Sequence, residues 1–330
     1  MRTLSKAVVL GLVLAAVCAQ FGVPAYAGPE GKRVALFVGP TQDKYIGGIT
    51  KGVTESATAK GMKVTVFSSP FDPTLQAQQI DDAVAQKFDM LILQPISQKA
   101  VVPPLTRAKA ANIPVILAVV PLTDESSQAL YLSYAGYDDR ALGKLAGEAM
   151  VKALTDTGHK KANVVVIAGS MDEGKAPIRQ KAFVAAIESH AGFRVVATED
   201  TKWNPVTAET MTGQLLARFA SKKIAGIYGM NDTLANASIQ AITAAGLTPG
   251  TKPGDVIVVG GNCQRVGIEN IKRGTMAATL LDNPLDEGRL AADKAADYFN
   301  GGHLKKAYYL KPAEPITAAN VAKFEKPCTY

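Results

Sequence analysis

The chain has 330 residues and carries 36 Lys+Arg against 29 Asp+Glu, a formal charge of +7. That basic excess is dispersed, with no run longer than Lys160-Lys161 or Lys222-Lys223, which argues against a nucleic-acid face, where basic residues cluster. A chain of this length is long for one hydrophobic core, and two domains are expected.

The chain opens with Arg2 and Lys6, an apolar stretch from Ala7 to Ala19, and Ala25-Tyr26-Ala27 before Gly28. This is the pattern of a secretory signal peptide cleaved after Ala27, too short and asymmetric for a spanning helix. A lipoprotein reading through Cys18 is weaker, because Val17 stands where a small residue is expected. Removing residues 1–27 takes away two positive charges and no acids, leaving 34 Lys+Arg against 29 Asp+Glu, or +5. No later segment is apolar for long enough to cross a bilayer. The expectation is a soluble protein exported to the periplasm.

From Arg33 onward, short apolar runs alternate with segments of helical period. VALFVG (34–39), KVTVF (63–67), DMLIL (89–93) and VILAVV (115–120) are continuous hydrophobic runs, as strands covered on both faces should be. Between them Ala77, Ile80, Ala83 and Val84 recur at helical spacing. Further on, Leu142, Leu145, Ala146, Ala149 and Ala153 line one face of 141–154, with Lys144, Glu148 and Lys152 on the other. A second series follows: NVVVIAG (163–169), FRVVAT (193–198), IAGIYG (224–229) and DVIVVG (255–260). Strand–helix alternation of this kind implies α/β domains with parallel sheets. The expected blocks are 33–136 and 137–283, with YAGYDDR (134–140) as the crossover. The tail adds a helix over 285–299 and a strand-like AYYLKP (307–312) that could return to either half.

In open parallel sheets, ligands bind beyond the carboxyl ends of the strands. Gln42, Asp43, Lys44 and Tyr45 follow the first strand and Gln94 the third; Asn231 and Asp232 follow IAGIYG, Asn262 follows DVIVVG, and Asp282 and Asn283 follow MAATLL. One such residue would be a helix cap; a series of them argues for a shared polar site, since amides both donate and accept as hydroxyls do. Trp203 stands in a polar stretch before Asn204-Pro205, an N-cap followed by proline at the first helical position. An indole at a helix mouth suits stacking on the C–H face of a sugar.

Other motifs fall short. GSMDEGKA (169–176) nearly fits a phosphate loop, but Ala176 replaces the metal-binding hydroxyl, and Asp172 and Glu173 would face anionic phosphates. No G-x-S-x-G elbow appears. His159, His190 and His303 lie in polar, turn-like segments without a His or Cys at metal-ligand spacing. No enzyme, cofactor or metal site is expected. Beyond the leader only Cys263 and Cys328 remain. In an oxidising compartment a disulfide tying the tail to the body is the favoured reading, with two separate buried thiols as the alternative.

Taken together, KGVTESATAKGMKV, AQQIDDAVAQKFDMLILQPIS, RAKAANIPVI, YGMNDTLANASIQAITAAG and VIVVGGNCQRVGIENIKRGTMAATLLDNP resemble the sugar-binding type I periplasmic binding proteins. This is the ribose- and galactose-binding group that serves ATP-driven importers. The resemblance covers nearly all of the chain after the leader. It implies two doubly wound parallel-sheet domains with a hinged cleft: residues 28–136 plus 284–309, and 137–283 plus 310–330. It implies ligand contacts from Asp43, Tyr45 and Gln94, with Arg179 as a hydroxyl or ring-oxygen donor. Trp203 would be the stacking ring, and Asn231, Asn262 and Asp282 hydrogen-bonding partners. Asn231 would face the cleft, with Asp232 or Thr233 capping the helix that follows.

The implied function is capture of a sugar, polyol or related small molecule by a monomer, for delivery to the membrane permease of an ABC importer. The alternatives are a more apolar ligand on the same fold and an exported carbohydrate-active enzyme. The sequence departs from the family where ribose- and galactose-type binders end the fourth strand with an acid followed by Arg or Asn. Here those positions are Val119 and Val120. If these valines line the cleft, the ligand should present C–H or methyl groups to them.

Overall fold

The computed structural model describes residues 28–312 and 314–328; the leader expected at 1–27 lies outside them. The first half runs β1 (Arg33–Val38), α1 (Lys44–Ala59), β2 (Lys63–Ser68), α2 (Pro73–Ala85), β3 (Met90–Leu93), α3 (Val102–Ala110), β4 (Val115–Ala118) and β5 (Ser133–Tyr137). The second half runs α4 (Asp139–Asp156), β6 (Ala162–Ala168), α5 (Lys175–Glu188), β7 (Phe193–Asp200), α6 (Pro205–Arg218), β8 (Gly226–Gly229), α7 (Asp232–Ala244), β9 (Ile257–Val259) and α8 (Arg265–Arg273). The tail adds α9 (Pro284–Phe299) and β10 (Ala307–Leu310).

The strands form two sheets in the orders β10-β5-β4-β3-β1-β2 and β7-β6-β8-β9, and every named pairing is parallel. The central strands are buried along their whole length, as MLIL in β3 and VILA in β4 show, because helices cover both faces. β10 pairs with β5, and α9 packs on α1, β4 and β5, so the tail helix and strand complete the first domain. The chain passes between the sheets at Tyr137–Asp139, at Asp282–Pro284 and after Leu310, where Ile316 bridges to Thr279. Three adjacent crossings make a natural hinge.

The helices start where local chemistry dictates. Asp43, Asp72, Asp138, Asn204 and Asn283 each accept backbone N–H groups of the first turn, and α2, α6 and α9 have proline at the first turn. Two helix crossings depend on glycine. A Cβ on Gly52 of α1 would meet the Leu285 carbonyl oxygen at the start of α9, and one on Gly143 of α4 the Arg179 carbonyl oxygen in α5. Among the described residues no helix is long and apolar enough to cross a membrane.

Candidate functional site

The carboxyl ends of the two sheets face each other across a cavity of about 30 Å³. Asp43, Tyr45, Ile46, Phe71 and Gln94 form its wall from the first domain, following β1, β2 and β3. Glu173, Lys175, Trp203, Asn231 and Asn262 form it from the second, following β6, β7, β8 and β9. A groove of about 620 Å³ adjoins it, sharing Phe71, Glu173 and Trp203 and bounded by Ile96–Lys99 on one side and Lys202 on the other. Phe71, Trp203 and Asn262 all hold left-handed backbone, with φ of 53°, 61° and 77°. Non-glycine residues there are sparse in folded chains and gather at ligand sites.

Behind the wall lies a buried ionic cluster. Arg179 is 2% exposed. Its Nε donates to Asp139 Oδ1 at 2.6 Å, its Nη1 to Asn262 Oδ1 at 3.1 Å and its Nη2 to Asp282 Oδ2 at 2.5 Å. Burial opposes the guanidinium charge, but Asp282 and Asp139 hold its pKa well above the ordinary value. Burial likewise raises that of Asp139, with Arg179 opposing. A planar guanidinium donates along several fixed directions at once, so Arg179 fixes Asn262 in the wall while joining α4 to the crossover at Asp282.

The Tyr45 hydroxyl donates to Asp282 Oδ1 at 2.8 Å and stands 2.5 Å from Glu287 Oε2. A hydroxyl has one proton to give. Burial, and then the Asp282 charge, push Glu287 up to about 8, well above an ordinary carboxyl. Its other oxygen accepts the Tyr137 N–H at 3.2 Å. Glu173, pushed to about 7 by burial, accepts the Trp203 Nε1–H at 3.1 Å. The indole lies against Gly169, where a Cβ would overlap the ring.

Asn231 itself, rather than the expected Asp232 or Thr233, caps the helix that follows β8. Its Oδ1 caps α7 by accepting the Leu234 N–H at 2.8 Å, and the residue lies in the cavity wall. Asp232 is not the cap. It is fully buried and accepts the Gln264 N–H at 2.6 Å and the Thr279 hydroxyl at 2.6 Å. It thereby pins the loop that carries Asn262, and burial pushes it up to about 7.

Asp43, Tyr45, Gln94, Trp203, Asn231 and Asn262 are thus brought together in the wall, whereas Arg179 and Asp282 sit one layer behind it. Val119 and Val120 are not in the wall. The chain bends after Ala118, Val119 takes a φ of 67°, and both side chains join the core of the first domain. The Tyr134 hydroxyl donates to the Val119 carbonyl at 3.2 Å. Sequence reasoning missed Phe71, Glu173 and Lys175. The available signal was position: Glu173 and Lys175 follow a strand end as Asn231 and Asn262 do, in a stretch whose likeness to a phosphate loop masks it. Asp139 and Glu287 were also missed, since acids in a first helical turn read as solvated caps. Cys263 and Cys328 are fully buried with Cα atoms 5.0 Å apart and their sulfurs paired, directly beside Asn262.

A family model described as a periplasmic binding protein domain matches residues 34–303. The ribose import binding protein of Haemophilus influenzae is 26% identical over 302 residues, covering 91% of this chain and 94% of that protein. The D-apiose import binding protein of Paraburkholderia graminis is 28% identical over 273 residues, 82% of each chain. Among solved structures, the periplasmic ribose ABC transporter protein of Conexibacter woesei aligns with a TM-score of 0.77 at 26% identity, covering 91% of this chain and 97% of that one. Because the matched domain takes in both sheets apart from the edge strand β10, and every strand end that reaches the cavity, the chain belongs to the periplasmic binding protein family and binds a solute rather than converting one.

Proposed function

We propose that the protein captures a sugar, polyol or related small molecule between its two domains and delivers it to the permease of an ABC importer. The observation that carries this reading is the cavity wall. Asp43 and Gln94 from the first domain, Glu173, Asn231 and Asn262 from the second, and the aromatic residues Phe71 and Trp203 line one cavity. Amides and carboxylates pair with hydroxyls, and aromatic faces suit the C–H faces of a sugar ring. Relatives named for ribose and D-apiose point the same way.

A cavity of about 30 Å³ has the room of roughly one water molecule. A sugar ring therefore enters by separation of the domains about the three crossings, followed by closure. The moving bodies are residues 28–137 with 284–310, and 138–283 with the tail after Leu310, which shifts Tyr137 and Leu310 from the expected bounds into the first body. The protein acts as a monomer in the periplasm, after cleavage behind Ala27, with the Cys263–Cys328 disulfide formed there and no nucleic-acid partner. Arg179 and Asp282 serve the ligand by holding Asn262 and Tyr45 rather than by touching it.

A thermal-shift and calorimetric screen of protein unfolded, stripped and refolded tests the reading. One sugar or polyol should bind with 1:1 stoichiometry and raise Tm, since a ligand that binds only the folded state stabilises it. A Tm raised only by molecules without hydroxyl groups would contradict it.

A further inference from the structure

Lys175 is 4% exposed and lies in the cavity wall. Its ammonium sits 4.8 Å from the centroid of the Tyr45 ring and 5.2 Å from that of Trp203. These rings attract a cation through their faces, but they accept none of its N–H bonds in the way an oxygen does. The surrounding acids are already engaged. Asp139 and Asp282 pair with Arg179, Glu287 is held by Tyr45 and the Tyr137 N–H, and Glu173 accepts from Trp203. Asp43 caps α1. Among the described residues, none of these carboxylates forms an ion pair with Lys175, although its charge acts at longer range to lower the pKa of Asp139, Glu173 and Glu287.

The position in the fold sharpens the point. Lys175 opens α5, a 14-residue helix whose N-cap is Gly174, and no side chain caps it. A helix N-terminus carries partial positive charge and favours anions, so a cation there is adverse unless an anion joins it. A buried ammonium without an acceptor is likewise unfavourable. One anionic oxygen pair in the cavity would answer both, through charge-assisted hydrogen bonds.

We propose that the ligand carries a carboxylate held by Lys175 at the start of α5, which makes it a sugar acid or a closely related polyhydroxy acid. This rests on the reading of the cleft as a carbohydrate site: Gln94, Asn231 and Asn262 take the hydroxyls, and Lys175 takes the acid. A carboxylate is favoured over a phosphate because the wall offers one ammonium, while Arg179 behind it is committed to Asp139 and Asp282.

The test is calorimetry on refolded, ligand-free protein with matched pairs: D-ribose and D-ribonate, D-xylose and D-xylonate, D-glucose and D-gluconate, D-galactose and D-galacturonate, with D-galactose 6-phosphate as the phosphate arm. At least one acid should bind about tenfold or more tighter than its neutral partner. Lys175→Met should abolish the acid-over-neutral affinity ratio, whatever it does to the affinity for each compound, while Lys175→Arg, which keeps the charge if the methionine variant folds poorly, should retain a preference for the acid. Neutral sugars binding as tightly as their acids, or a preference that survives in Lys175→Met, would overturn the inference and leave the carbohydrate reading standing. Tighter binding of the phosphate would overturn the carboxylate assignment. Binding of no sugar, acid or phosphate in the series would overturn both.

Discussion

Arg179 of α5 donates through Nη2 to Asp282 Oδ2 at 2.5 Å, and both side chains are buried, at 3% and 0% exposure. This pair links the second domain to the crossover that leads back into the first. With Asp139 on its other edge, one guanidinium holds two carboxylates that would otherwise repel each other in a dry interior.

Arg179→Met should therefore destabilise the ligand-free protein by about 3–5 kcal/mol, the usual cost of leaving a buried charge without its partner. Urea unfolding measures it. A midpoint equal to wild type would show that water reaches Asp139 and Asp282.

Glu287 makes stability depend on pH. Its native pKa of about 8 stands above the ordinary 4.5, so between those values the folded protein binds more protons than the unfolded chain. The contribution is fully present below about pH 4.5 and is lost as pH rises through about 8. Glu173 and Asp232, both pushed to about 7, slope the same way. Glu287→Gln should flatten the fall between pH 5 and 8, as read from urea midpoints across that range. Parallel wild-type and variant curves would contradict the assignment.

Gly52→Ala tests the crossing of α1 and α9. Helix propensity alone favours alanine by about 0.5–1 kcal/mol. Here the new methyl meets the Leu285 carbonyl oxygen, and overpacking of this kind costs about 1–3 kcal/mol. The variant should be less stable than wild type, and a raised Tm would show that the helices can part freely.

Cys328→Ser opens a loop of 65 residues, which in the chain-entropy model removes about 4 kcal/mol. The tail should loosen, and Asn262, next to Cys263, with it. Alkylation of non-reduced periplasmic protein that labels both cysteines would contradict the bridge.

Much of the fold was legible because burial on both sheet faces writes itself as unbroken apolar runs: those at 34–39, 89–93 and 115–120 became β1, β3 and β4, whereas 63–67, expected to be covered on both faces, became the largely exposed edge strand β2. Strand-end polarity placed Asn231, Asn262 and Gln94 for the same reason: a parallel sheet delivers the residue after each strand to one edge. What stayed hidden depends on three dimensions. Val119 and Val120 continue an apolar run, and only the left-handed turn at Val119 sends them into the core. Arg179 reads as a helix charge until Asp139 and Asp282, distant in sequence, close around it. Lys175 reads as a surface lysine until Tyr45 and Trp203 bury it.

Trp203 is the only tryptophan in the sequence, and it stands in the cavity wall between the domains. Its fluorescence therefore reports on the cleft alone. The most direct test of the central claim, that a small polyhydroxy ligand is enclosed there, is a titration of refolded protein with the compound that calorimetry selects, followed by Trp203 emission. The account predicts a saturable change that reaches its plateau at one ligand per chain. Stoichiometric heat of binding with no change in Trp203 emission would place the ligand elsewhere and contradict it.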